Sequence, residues 1–71
     1  MKAQEMFEKL DFHKMNEWKD IEYCTNNTSI SFWNNDKTIL IESENGEEFS
    51  IDRFNDFSKA IKKQMKELGW L

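Results

Sequence analysis

Residues 21–43, IEYCTNNTSISFWNNDKTILIES, alternate apolar and polar side chains and are interrupted twice by turn-forming residues. Ile21 and Tyr23 alternate with Glu22 and Cys24, and TNNT (25–28) then breaks the pattern. Ile30 and Phe32 alternate with Ser29, Ser31 and Trp33; NNDK (34–37) leads into Ile39 and Ile41, alternating with Thr38, Leu40 and Glu42. A period of two belongs to strands with one buried face, and Asn, Asp and Ser favour turns by hydrogen-bonding their own backbone. Register supplies a test. A two-residue loop at Asn26-Asn27 sets Tyr23 opposite Ile30 and Ile21 opposite Phe32. A four-residue loop at Asn34–Lys37 sets Phe32 opposite Ile39 and Ile30 opposite Ile41. Both registers place Ile21, Tyr23, Ile30, Phe32, Ile39 and Ile41 on one face, as a sheet buried on one side requires.

On the N-terminal side, Ala3, Met6, Phe7 and Leu10 recur at helical spacing opposite Lys2, Glu5, Glu8 and Lys9, which predicts a helix over residues 2–10. Residues 11–19 hold two apolar anchors, Phe12 and Trp18, in an irregular loop or a short edge strand. Beyond the meander, a three-residue loop Glu44-Asn45-Gly46, with Gly46 left-handed in a bulge, would set Phe49 opposite Ile41 as a fourth strand. A second helix is expected from Ser50–Asp52 to about Leu68, capped by Ser50 or Asp52. Its buried stripe would be Ile51 or Phe54, then Phe57, Ile61, Met65 and Leu68, with Gly69 ending it and Trp70 packing back on the last turn. The expected fold is α+β over residues 1–71 as one domain: helix, three- or four-stranded antiparallel meander, helix, both helices on one sheet face in two layers.

With 71 residues the chain has room for one small core, and its single cysteine, Cys24, allows no internal disulfide and no thiolate metal cage. Self-association is then the common remaining way to bury more surface. A lone cysteine fits a reducing compartment, so the expected location is the cytoplasm. The charged first ten residues are unlike a signal peptide, and no apolar run reaches the roughly 18 residues that span a membrane. The net charge of −4 argues against general nucleic-acid binding, which depends on cationic phosphate contacts.

The opening MKAQEMFEKLDF (1–12) and the closing KKQMKELGW (62–70) resemble small uncharacterised proteins encoded by phages and prophages of Gram-positive bacteria, which share an AxxMFExLGF-like start and a KQxxELGW-like end. The likeness covers about half the chain. Two positions depart from what is expected: Asp11 stands where the start would carry glycine, and Arg53 where an acidic residue would complete a capping box with Ser50. The resemblance implies a phage-borne accessory protein and no catalytic or binding residue.

Chemistry-bearing constellations are sparse. His13 and Cys24 are the only histidine and the only thiol, and Cys–His catalysis would need them in contact with a third group orienting the base. By strand parity Cys24 belongs to the outer face of the sheet, so the pair is expected to be a small strand residue and a solvated imidazole. Glu42, Glu44, Glu47 and Glu48 crowd the third turn near Asp52 and Asp56, but Glu42-x-Glu44-x-Gly46 lacks the spacing of a calcium loop. The same rim could imitate DNA phosphates in an acidic inhibitor. The only glycines, Gly46 and Gly69, rule out GxxxxGK[ST], GxGxxG and GxSxG motifs. No cofactor, no metal and no enzymatic activity are expected.

Lys59, Lys62, Lys63 and Lys66 sweep the flank beside the apolar stripe of the last helix. Long lysines lie along apolar borders with their ammonium groups in water, and cations oppose the negative helix end, so this row is expected to be a solvated face. Its alternative use is a nucleic-acid-binding module. The outer sheet face is the better candidate for a contact, because Trp33 and Leu40 point away from the core among Ser31, Thr38 and other small residues. The expected function is that of a small non-catalytic protein acting by protein–protein interaction, modulating a host or defence protein, with a host factor or a second copy of itself as partner.

Overall fold

The computed structural model describes residues 1–15, 20–44 and 48–71. The chain runs α1 (Ala3–Glu8), β1 (His13–Met15), β2 (Ile21–Cys24), β3 (Thr28–Trp33), β4 (Thr38–Ser43) and α2 (Ile51–Glu67). Its four strands form one antiparallel sheet in chain order. The registers are those the alternation requires: Tyr23 pairs with Ile30, Ile21 with Phe32, Phe32 with Ile39 and Ile30 with Ile41. At the Asn26-Asn27 loop, Thr25 Oγ1 accepts from the amides of Asn27 and Thr28, a side-chain cap that closes the hairpin. At the 34–37 loop Lys37 takes the left-handed conformation, φ 54°.

The fourth strand is not the one expected after Gly46. It lies before the meander, where His13–Met15 pairs with β2 at the opposite edge, so the stretch left between loop and edge strand includes the strand. Phe49 does not pair with Ile41, because it finds its burial against a helix. Its ring stacks on Phe57 at 5.3 Å, Phe57 stacks on Phe12 at 5.4 Å, and the Arg53 guanidinium closes the column 5.5 Å above Phe49. Asn45, Gly46 and Glu47, and with them the expected bulge, lie outside the described residues, as does Trp18.

Phe7 organises the rest of the core. It stacks on Tyr23 at 4.1 Å and meets Phe12, Phe32 and Phe57 edge-on at 5.8–6.1 Å. Rings met at the edge present positive hydrogens to a negative face, a geometry that adds about 0.5–1.5 kcal/mol per pair to the burial itself. Both helices pack on the face carrying Tyr23, Ile30 and Phe32, and they run antiparallel, as contacts near the two ends of α1 show. At one end the Ala3 amide donates to Glu67 Oε2 at 2.7 Å; at the other, Arg53 Nη2 donates to the Leu10 carbonyl at 2.9 Å. Two side chains of α2 thus satisfy orphan groups near both ends of α1, a helix of six residues that is too short to persist alone.

The two helices end alike. Phe12 N–H donates to the Phe7 carbonyl and Asp11 N–H to that of Glu8; Trp70 N–H donates to Met65 and Gly69 N–H to Lys66. This is the Schellman pattern, with Asp11 at φ 67° and Gly69 at φ 78° in its left-handed position. The aromatic that follows each turn folds inward. Phe12 is buried; Trp70 is half-buried, its ring 6.2 Å from Phe32 and its Nε1 donating to Asn34 Oδ1. Trp70 therefore also ties α2 to the turn between β3 and β4.

Ser50 caps α2, accepting from the Arg53 amide at 3.2 Å. The buried stripe is shifted from the one expected. Phe57, Ala60 and Gln64 lie at its centre, Ile61, Met65 and Leu68 flank it, and Ile51 and Phe54 are exposed at 79% and 54%. The cause is a polar anchor inside the layer. Tyr23 Oη donates to Gln64 Oε1 at 2.6 Å, which rotates Gln64 inward and carries Phe54 and Ile51 off the sheet.

Candidate interaction surface

Residues opposite one another in an antiparallel sheet share a face, so the registers define the outer surface row by row. One row is His13, Cys24, Ser29, Glu42; the next is Met15, Glu22, Ser31, Leu40; Trp33 and Thr38 begin the third. No helix covers this side among the described residues. Trp33 is 45% exposed and Leu40 40%, diagonal neighbours across β3 and β4, and Met15 is exposed at the other end of Leu40's row. Together with Asp20, Glu22, Ser31 and Glu42, Trp33 and Leu40 line a shallow recess of about 270 Å³.

The expected contact residues divide into two groups there. Trp33, Leu40 and Thr38 stand exposed, whereas Ser31 is buried on the floor and its hydroxyl donates to Glu22 Oε2 at 3.1 Å. Asp20 is placed by the Asn34 amide, which donates to its Oδ1. The surface therefore couples an apolar ridge to Asp20, Glu22 and Glu42. Such a face suits a partner offering an apolar projection flanked by cations.

Glu42, Glu44 and Glu48 of the acidic rim are exposed, and Glu47 lies outside the described residues. Glu44 is held by its backbone, which donates to the Asn27 carbonyl. Among the described residues no group of three or more His, Cys, Asp or Glu is disposed to hold a metal ion. His13 and Cys24 are direct cross-strand partners, a proximity the sequence left open. The row continues from Cys24 through Ser29 to Glu42.

At about 100° per residue, Lys59, Lys62 and Lys66 fall on the side of α2 opposite Phe57, Ala60 and Gln64, and all three are exposed. With Lys63 they line a recess beside Met6, which packs against the core. Lys63 is half-buried and turns toward α1, sharing a recess with Met1, Lys2, Glu5 and Glu67.

Sequence inspection missed Gln64. Its signal was present: a lone amide seven residues after Phe57 and four after Ala60, inside an apolar helical stripe, needs a buried partner. Tyr23 is that partner, and burial, followed by the charges of Glu67 and Glu8, pushes its phenol up to about 12. No helix among the described residues is long and apolar enough to cross a membrane. No protein-family model matches the chain, and neither a curated protein nor a solved structure matches it.

Proposed function

We propose that this chain is a small non-catalytic interaction protein that presents the outer face of its sheet to a protein partner. The observation that carries it is the exposure of Trp33 beside Leu40 on a face that neither helix covers. Exposed aromatic anchors beside small residues are where interface energy concentrates, and the Asp20, Glu22 and Glu42 carboxylates give the ridge an electrostatic rim. The resemblance to phage-encoded proteins makes a host-cell protein, modulated by occupation of its surface, the class of partner.

The experiment is affinity capture from lysate of a Gram-positive bacterium, with the wild type, Trp33→Ala, and a Lys62→Glu/Lys66→Glu double variant in parallel. The proposal expects a partner that the lysine variant retains and Trp33→Ala loses while its circular dichroism stays unchanged. A partner retained by Trp33→Ala overturns it. So does DNA or RNA binding that weakens steeply with salt and disappears in the lysine variant, which would assign function to α2 instead.

A further inference from the structure

The two edges of the sheet differ in a way that points to a second copy of this chain. β1 is an edge of three residues, and Lys14, paired with Tyr23, lies on the helix-facing side. A short edge with an inward-facing charge resists further strand addition. β4 is twice as long, and its sequence Thr38-Ile39-Leu40-Ile41-Glu42-Ser43 holds no proline and no lysine. No strand among the described residues pairs with its outer side.

The apolar side chains of β4 are unfinished on both faces. Leu40 is 40% exposed on the outer face, and Ile41 is 50% exposed on the helix side, where a packed sheet would bury it. The helix layer explains the second value. α1 sits toward β1, so the flank of α2 away from α1 looks toward β4. That flank carries Phe54 and Ile51, which the fold leaves in solvent.

β4 also complements itself. Glu44 N–H donates to the Asn27 carbonyl, and antiparallel ladders alternate bonded and non-bonded pairs. Residues 38, 40 and 42 therefore direct their backbone groups to β3, while Ile39 and Ile41 direct theirs to the free edge. A two-fold axis normal to the sheet at Leu40 sets Ile39 opposite the second copy's Ile41 and Ile41 opposite its Ile39, in bonded pairs. Leu40 meets its own counterpart, and Glu42 meets Thr38, whose hydroxyl can donate to it. Within the paired strands no like charges oppose. Moving the axis to Ile41 would instead set Leu40 against Glu42.

We propose that this chain forms a symmetric dimer by pairing β4 with β4 of a second copy, centred on Leu40, into one continuous sheet. Both helix layers then share a side, and Ile41 and Phe54 approach the junction. Pairing is isologous and uses the unguarded edge of each copy, so assembly closes at two instead of running on into a fibre. The dimer rests on the edge of the sheet and not on the outer-face contact proposed above.

The test is the mass in solution by light scattering, in reducing buffer, over a concentration series. The wild type and Trp33→Ala are expected at twice the chain mass, and Ile41→Lys, at an exposed position the fold tolerates, at the chain mass. A second measurement fixes the register. In a Cys24→Ser background, Leu40→Cys should form a disulfide-linked dimer on oxidation, because Cα atoms of a non-bonded pair lie about 4.5 Å apart. Glu42→Cys should not, its counterpart being about 13 Å away by strand rise. A monomeric wild type, a dimer that survives Ile41→Lys, or equal cross-linking at 40 and 42 overturns the proposal.

Discussion

Asp11 occupies a place built for glycine. At φ 67° an L side chain crowds the following carbonyl, and Asp is one of the few residues other than glycine that visit this region. The same turn at the other helix uses Gly69, around which nothing lies within 4 Å of an added Cβ, so the strain there is conformational and not steric. Exchange in the two directions should have opposite signs. Asp11→Gly is expected to stabilise the fold by about 0.5–1 kcal/mol, and Gly69→Ala to destabilise it by about 1 kcal/mol. Thermal midpoints read this directly, at about 4–8 °C per kcal/mol for a domain this size; an unchanged or lowered midpoint for Asp11→Gly refutes the assignment. The sequence shows the departure from the glycine expected at position 11. Only the backbone explains it.

At the scale of elements, β2, β3 and β4 were legible because a period of two admits one self-consistent register, and the structure has it; β1 was not, since three residues are too few to show a period. α2 was legible in extent and cap, since Ser50 and Gly69 mark its ends chemically. Its rotation was not, because Gln64 looked like a surface residue until Tyr23 met it. The role of Arg53 was hidden for a related reason: its partner, the Leu10 carbonyl, lies 43 positions away. Arg53→Met keeps an apolar stem beside Phe49 and removes the bond to α1, at an expected cost of about 1.5–3 kcal/mol. Glu67→Gln keeps an acceptor for Ala3 and removes the charge favoured at a helix start, at about 0.3–1 kcal/mol. Denaturant midpoints measure both, and amide exchange in residues 3–8 should quicken before that of β3. Uniform acceleration across the chain would show that these bonds do not act on α1.

The whole molecule is pinned across its layers by Tyr23 and Gln64, and this contact makes stability depend on alkaline pH. In the unfolded chain the phenol ionises near its ordinary value of about 10; in the fold it holds its proton to about 12. The folded state thus binds the extra proton between those values. The contribution is fully present below about pH 10 and is lost as pH rises toward 12, reaching up to about 3 kcal/mol. Tyr23 is the sole tyrosine, so phenolate absorbance follows it alone. Its midpoint is expected about two units higher in the folded than in the denatured protein, and Tyr23→Phe should flatten the alkaline fall while costing about 1–3 kcal/mol at neutral pH through the unpaired amide. Equal midpoints in both states would contradict the buried bond. The outer face was legible by parity down to Trp33 and Leu40, whereas the openness of β4 was not, because exposure at an edge depends on where the helices come to rest.

The clasp on α1 sets an order of events during synthesis. Residues 3–8 leave the ribosome well before the guanidinium and carboxylate that hold their helix, which arrive with residues 53 and 67. The nascent chain must therefore keep residues 3–8 unstructured, and the strands that follow uncovered, until translation has passed Glu67.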